Sequence, residues 1–221
     1  MPLMSVFRNL GAGFGHNASP PARLTTMADQ VVTDFITAML LDGRGYQVRA
    51  GTIATGLSAQ NVIADGTADM CVDAATATTI IPFQFRIAMR EVATALTVQV
   101  AVKAVGAVPS AGTAFVPLPL KQDGSAAVST ARVAADGVTV TAELATTTRR
   151  LFEYENNFTQ APTTINGNLA QAAIASNVNN LRYIGVGPAC VYVQVASTTA
   201  QALWFGSLDY LEMPTLMVNP S

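Results

Sequence analysis

A two-residue alternation of apolar and more polar side chains constrains the fold of this chain most strongly. In residues 83–89 and again in residues 96–103, every second residue is Phe, Ile, Met, Leu or Val, and Gln, Arg, Thr, Ala or Lys stands between them. Successive side chains of a β-strand point to opposite faces, so this pattern predicts two strands that each bury one face. The chain is therefore expected to form sheets whose outer surfaces meet water.

A dipeptide typical of tight turns occurs later in the chain. Asp136-Gly137 separates two strand-like segments, residues 130–133 and 138–144. Asp-Gly is favoured in two-residue hairpin turns because both central positions need a positive φ. We expect the two segments to pair with each other as a β-hairpin.

Two more strand-like segments lie near the C-terminus. Residues 190–195 carry valine at every second position, and a segment from Leu203 to about Leu211 is followed by the strand breaker Pro214. Enrichment in Val, Thr and aromatic residues, with turn signals at short intervals, is typical of sandwiches. The sequence predicts a mainly β protein: an antiparallel β-sandwich of jelly-roll or Greek-key type, with an extended N-terminal arm and one or two short helices.

The regions outside these strands divide the chain into an arm, one domain and a tail. Residues 1–24 are rich in glycine and proline and predict an extended N-terminal arm. Residues 25–213 form the expected sandwich domain. Within it, apolar residues at spacings of three and four favour a helix over about 26–41, although the same residues also suit a strand. A long crossing loop is expected over about 150–181, and residues 214–221 form a C-terminal tail.

The low content of charged residues limits the functions that such a domain can have. Charged residues make up 12% of the 221 residues, against about 25% in an average soluble domain. Neutral polar side chains or neighbouring subunits must therefore cover the surface. Apart from Arg149-Arg150 the cations are scattered singly and the net charge is -2, which disfavours direct nucleic-acid binding. The most apolar region, residues 92–120, is interrupted by polar residues, Gly and Pro, which is typical of a protein core and not of a membrane span.

The residues needed for catalysis or metal binding are scarce. His16 is the only histidine and lies in the glycine-rich arm, where it cannot be held rigidly against a nucleophile. Asp65, Asp69 and Asp73 recur every four residues, but an extended strand separates such neighbours by about 13 Å, too far to share one calcium ion. We interpret them as solvated charges on a sheet face. No catalytic, cofactor-binding or metal-ligating residue is predicted, and the chain is not expected to be an enzyme.

The two cysteines are too far apart in sequence to indicate a disulfide framework. Cys71 and Cys190 are expected to be small buried thiols, with one bridge as the alternative if the protein matures in an oxidising compartment. Arg8 is followed by glycine-rich residues and not by the apolar run of a secretory signal. Synthesis in a cytoplasm without export is expected.

Four charged residues lie close together in the sequence. Arg149 and Arg150 precede Glu153 and Glu155, and two glutamates two residues apart project from the same side of an extended segment at about 7 Å. Glycosidases use carboxylate pairs at similar separations, but on opposite sides of a sugar. A hydrolase using Glu153 or Glu155 is therefore the least favoured alternative. We interpret the four residues as a surface or inter-subunit ion-pair cluster that sets register and partner choice.

Apolar residues near both termini are further candidates for contacts between subunits. In the tail these are Leu216, Met217 and Val218, which follow a strand breaker and are expected to rest on a surface, in one interpretation that of another copy. In the arm the corresponding residues are Phe7 and Phe14. Both segments are expected to contact neighbouring copies.

The aromatic residues allow two interpretations. Trp204 is expected to fill the core of the sandwich. In the alternative, Trp204, Tyr154, Tyr183 and Tyr192 form a stacking platform, and the chain is a carbohydrate- or receptor-binding module of a fibre or surface protein. The alternative requires these rings to be exposed together in one groove.

Taken together, a low-charge sandwich rich in Ala, Thr, Val and Gly over residues 44–213, with an arm, an apolar tail and no catalytic set, resembles virion structural proteins. It is most similar to jelly-roll capsid, decoration or head-fibre proteins of tailed phages. The resemblance implies a non-enzymatic capsid shell or decoration subunit that forms a homo-oligomer, a trimer or higher, with arms exchanged between copies. It also implies contacts with other virion or capsid proteins, a location in the virion after synthesis in the host cytoplasm, and no cofactor.

Overall fold

The computed structural model of the chain describes residues 23–24, 30–31, 35–64, 66–91, 96–140, 148–158, 181, 183–198 and 202–215. These residues form two antiparallel sheets that share one apolar core, which confirms the predicted mainly β antiparallel sandwich. In spatial order, sheet I contains β11 (Arg149–Phe158), β7 (Leu96–Val105), β13 (Ala189–Ser197), β5 (Thr67–Ala74), β10 (Thr130–Thr139) and β8 (Thr113–Phe115).

Sheet II lies on the other side of this core. In spatial order it contains β12 (Gly185–Val186), β6 (Thr78–Glu91), β14 (Leu203–Pro214), β3 (Gly45–Ala50) and β9 (Leu118–Pro119), and β4 (Leu57–Ser58) also pairs with β14. Outside the two sheets, β1 (Arg23–Leu24) pairs with β2 (Gln30–Val31), and α1 (Phe35–Leu41) packs through Met39 on the outer face of sheet II.

The core forms where the inner faces of the sheets meet. Val72, Val100 and Val193 of sheet I pack with Phe85 and Trp204 of sheet II, and all five are almost fully buried. The valines of β13 at positions 191, 193 and 195 belong to this core, as their alternation predicts. The strands expected over residues 83–89, 96–102, 190–195 and 203–211 are all confirmed as parts of β6, β7, β13 and β14.

The predicted helix over about 26–41 is shorter in the structure. Helical geometry begins at Phe35, whereas Gln30–Val31 is a strand. The two valines at positions 31 and 32 are β-branched residues, which have lower helix propensity and suit a strand. At seven residues, α1 is far below the roughly 20 residues that cross a bilayer, and no helix in the described part of the chain is long and apolar enough to do so.

The prediction of a hairpin at Asp136-Gly137 is wrong. Residues on both sides of this dipeptide belong to the single strand β10 and pair with the same neighbour, since Val133 lies opposite Met70 and Val138 lies opposite Ala68. The backbone between them holds more residues than its partner, so the dipeptide occupies a bulge in the strand. Aspartate and glycine favour irregular backbone, and a bulge uses that preference as a hairpin does.

A bulge of one residue also interrupts the alternation in β6. Asp209 lies opposite Gln84 and Tyr210 lies opposite Pro82, so Phe83 is the extra residue of a bulge. The bulge reverses the faces of the strand, and Phe83 packs outside the main core with Met39. The sequence pattern places Phe83 in line with Phe85, whereas the bulge separates them.

The segment between β7 and β11 closes one lateral edge of the sandwich. Its strand β8 is the outermost strand of sheet I, and β9 is the outermost strand of sheet II. Only Val116 and Pro117 connect these two strands, so the chain crosses directly from one sheet to the other. The opposite end of sheet I is formed by β11.

Candidate assembly interface on an edge strand

The strand β11 is the longest edge strand among the strands that the structure describes. It pairs on one side with β7, from Arg149 opposite Ala104 to Phe158 opposite Leu96. On the other side, no described strand pairs with it. A long crossing loop was expected over about 150–181, and for residues 150–158 this expectation is wrong, because they belong to β11. Residues 159–180 lie outside the described part.

The four charged residues expected at an interface all lie on this edge strand. Arg150, Glu153 and Glu155 stand opposite Lys103, Ala101 and Gln99 of β7, which alternate along their strand and so share one face of the sheet. All three are exposed, as is Arg149. The structure thus places three members of the predicted cluster on one face of the sheet, whereas Arg149 stands opposite Ala104 on the other face.

The contacts of this cluster are weak ones. Arg150 Nε lies 3.5 Å from Glu153 Oε1, and Gln99 Nε2 donates to Glu155 Oε2 at 2.8 Å. Exposed ion pairs contribute about 0–1 kcal/mol, so these contacts can be exchanged for others at little cost. Glu153 and Glu155 project from one strand to one side, which does not provide the two-sided arrangement of a glycosidase pair.

The inner side of β11 is apolar and only half-buried. Phe152 and Tyr154 stand opposite Val102 and Val100 and pack against the main core, and their rings are 6.5 Å apart and nearly parallel. Leu151 is an extra residue between the pairs Arg150–Lys103 and Phe152–Val102, and it also packs against the core. Sequence reasoning missed this strand, although the alternation of Phe152 and Tyr154 with Glu153 and Glu155 indicates it.

The other predicted contact residues lie outside the described part of the chain. These are Phe7 and Phe14 of the arm and Leu216, Met217 and Val218 of the tail. Within the tail, Thr215 is described and donates its backbone N–H to Ala77 O at 2.9 Å. His16 and Asp65 also lie outside the described residues.

The interpretation of Asp69 and Asp73 as solvated charges is wrong, because both are buried. Asp69 Oδ2 accepts a hydrogen bond from Val195 N at 2.8 Å, beyond the point where β13 stops pairing with β5 at Val193. Its carboxylate thus replaces a missing backbone acceptor. Asp73 faces Arg132, with Oδ1 3.9 Å from Nε; burial raises the pKa of Asp73, and Arg132 opposes that shift.

Cys71 and Cys190 are buried free thiols, as expected. Cys71 stands opposite Tyr192 and Cys190 stands opposite Asp73, so the cysteines are diagonal neighbours on adjacent strands. Burial, followed by the neighbouring Cys71, raises the pKa of the Cys190 thiol well above its usual range. A thiol with a raised pKa is a poor nucleophile.

The outer face of sheet II carries a second polar cluster around a buried carboxylate. Asp209 is buried between Gln47 of β3 and Gln84 of β6, and Gln47 Nε2 donates to Asp209 Oδ1 at 2.7 Å. Arg49 donates to Gln47 Oε1, and Arg86 donates to Gln84 Oε1 at 2.7 Å. Burial raises the pKa of Asp209, and its hydrogen bond from Gln47 and the two guanidinium groups oppose that shift.

We expect Asp209→Asn to stabilise the protein at neutral pH. A carboxyl group whose pKa is higher in the folded state binds more protons there, so its contribution to stability falls as pH rises through that range. Asparagine has no charge to desolvate and keeps an acceptor for Gln47. The urea midpoint of the variant should exceed that of the wild type at pH 7, and the gain should vanish below about pH 4.

The matched control for this prediction is Asp123→Asn, which removes an exposed carboxylate. Its midpoint should follow that of the wild type at both pH values. A less stable Asp209→Asn protein at pH 7 would show that the electrostatic and hydrogen-bonding partners of Asp209 outweigh its desolvation.

The described residues do not form the aromatic stacking platform that the alternative interpretation requires. Trp204 is fully buried in the main core, which confirms its expected role there, and Tyr192 is buried in a separate cluster with Cys71 and Cys190. Tyr154 and Tyr183 are half-buried against the main core. The four rings are therefore not exposed together in one groove.

Within the described residues, no group of three or more His, Cys, Asp or Glu side chains is arranged to hold a metal ion. No family model, curated protein or solved structure matches the chain.

Proposed function

We propose that this chain is a self-assembling structural subunit of a virion, a capsid shell or capsid-decoration protein held by homo-oligomeric contacts. Its location would be the virion, and it would act without catalysis. The order of its strands supports this proposal most directly.

We interpret the strand order of the two sheets as that of a jelly roll, which is built from two Greek keys. Eight strands can be numbered one to eight in chain order: β3, β5, β6, β7, β11, β12, β13 and β14. Across sheet II, the order of these strands is one, eight, three, six. Across sheet I, the order is two, seven, four, five. Jelly rolls with this double Greek key are frequent in viral capsid proteins and lectins.

The segment from β8 to β10 is an insertion into this order. It adds β10 and β8 beside β5, and β9 beside β3. Both additions lie at the same lateral edge, so this edge is covered by the chain itself. At the other lateral edge of sheet I, no strand among the described residues pairs with the outer side of β11.

The low content of charged residues supports a subunit that functions within an assembly. With 26 charged residues, 12 basic and 14 acidic, among 221, a solitary molecule has few charges to keep it apart from other copies. In a symmetric assembly, the same neutral surfaces are covered by identical neighbours. The carbohydrate- or receptor-binding alternative loses its proposed platform, because Trp204 and Tyr192 are buried.

The proposal predicts that the full-length protein forms a multimer. Size-exclusion chromatography with light scattering at micromolar concentration should give a mass several times the 23.0 kDa of one chain. Negative-stain electron microscopy of the same fractions should show rings or closed shells. A homogeneous 23.0 kDa monomer across this concentration range would overturn the proposal.

A further inference from the structure

We propose that two copies of this chain join their β11 strands side by side and antiparallel across a two-fold axis, so that the two copies of sheet I become one continuous sheet. This inference rests on the proposed function and names one of its contacts. It commits to a second copy of the same chain as the partner.

The length of β11 distinguishes it from the other outermost strands, although residues 81–91 of β6, beyond the short β12, also have no second partner among the described strands. β11 has ten residues, whereas the outermost strands β8, β9 and β12 have three, two and two. Ten residues of strand extend over about 33 Å. Long edges present a row of backbone donors and acceptors that pairs readily with another strand, and short edges are a common way to prevent such pairing.

The charges of β11 are complementary to those of a second β11. The two arginines, Arg149 and Arg150, lie at its start, and the two glutamates, Glu153 and Glu155, lie further along. An antiparallel two-fold axis near Phe152 places the arginine end of each strand beside the glutamate end of the other. The same pairing in parallel orientation would set like charges side by side, which is destabilising.

The apolar side of β11 also favours a second copy. Phe152 and Tyr154 are half-buried against the main core and continue it to the edge of the sheet. Across the two-fold axis, the same two side chains of the other copy would cover them. A contact in which one patch meets itself is the commonest arrangement in homo-oligomers.

Charge variants of the full-length protein test this contact. We expect an all-acidic variant, Arg149→Glu with Arg150→Glu, and an all-basic variant, Glu153→Arg with Glu155→Arg, each to weaken self-association by at least about tenfold, since like charges then meet. A 1:1 mixture of the two variants should restore association. A chain that carries all four substitutions should also associate, because its charges are exchanged and not removed.

The matched control is Lys121→Glu, which reverses one exposed cation away from β11. This control should associate as the wild type does. Hydrogen–deuterium exchange provides a second measurement: the peptide that contains residues 149–158 should lose protection in either single-sign variant and regain it in the mixture.

The outcomes separate this inference from the proposed function. A monomeric wild type overturns both. A multimeric wild type whose two single-sign variants still assemble, or whose mixture fails to associate, overturns the β11 contact and leaves the proposed function standing.

Discussion

Replacing Trp204 by alanine should lower the free energy of unfolding by about 3–5 kcal/mol, the range for removing a fully buried large aromatic side chain. Trp204 is fully buried on the inner face of β14, in the core between the two sheets. The substitution removes the indole from water-excluded surroundings and leaves a cavity that packed sheets on both sides cannot easily fill. Urea denaturation at fixed protein concentration measures the loss.

Two further variants show whether burial causes this effect. Phe205→Ala changes the neighbouring side chain, which is partly exposed, and should cost about 1 kcal/mol. Trp204→Phe should cost less than Trp204→Ala for two reasons. It fills most of the volume, and it removes the indole Nε1, for which no hydrogen-bond partner lies within the described residues. Equal losses for Trp204→Ala and Phe205→Ala would contradict the core role of Trp204.

Replacing Glu212 by alanine should cost about 3 kcal/mol, because it removes the acceptor of two backbone N–H groups, of which that of Ser129 is buried. Glu212 lies near the end of β14, and its carboxylate accepts hydrogen bonds from Val128 N at 2.9 Å and Ser129 N at 2.8 Å, and from the Ser129 hydroxyl. Ser129 Oγ also lies 2.6 Å from Tyr210 OH. One side chain of sheet II thus holds the residues that lead into β10 of sheet I.

The control for Glu212 is Asp123→Ala, which removes an exposed carboxylate and should change stability by less than about 0.5 kcal/mol. The stability loss of Glu212→Gln should lie between those of Glu212→Ala and Asp123→Ala, since the amide keeps one acceptor oxygen but brings a donor toward the backbone N–H groups. All variants are compared by urea midpoint and slope. If Glu212→Ala behaves like Asp123→Ala, the hydrogen bonds from Val128 and Ser129 do not hold the sheets together.

The charged residues of β11 could be identified as a group from the sequence, but their location on an edge strand could not. Arg149, Arg150, Glu153 and Glu155 stand out in the sequence because charges are otherwise scattered. The sequence places them in a loop, since the asparagines that follow at positions 156 and 157 favour turns. Only pairing with β7 makes this segment a strand, and strand pairing joins residues that are about 50 positions apart in the sequence.

Buried carboxylates were the main failure of prediction from the sequence. Asp69 and Asp73 lie four residues apart and were interpreted as solvated charges on one sheet face, yet both side chains are buried. A local pattern cannot show that β13 stops pairing with β5 near Asp69, or that Arg132 of β10 lies beside Asp73. Burial of a charge depends on such distant partners, because only they offset its desolvation.

Sequence pattern alone predicted strands with one apolar face, located parts of β6, β7, β13 and β14, and assigned Trp204 and the valines of β13 to a core. These properties follow from two-residue periodicity, which acts between residues close together in the chain. Only strand pairing shows which strands are neighbours, that Asp136-Gly137 is a bulge and not a turn, that Phe83 leaves the main core, and that β11 is an edge among the described strands. Each of these depends on hydrogen bonds between distant segments, whose register no local pattern encodes.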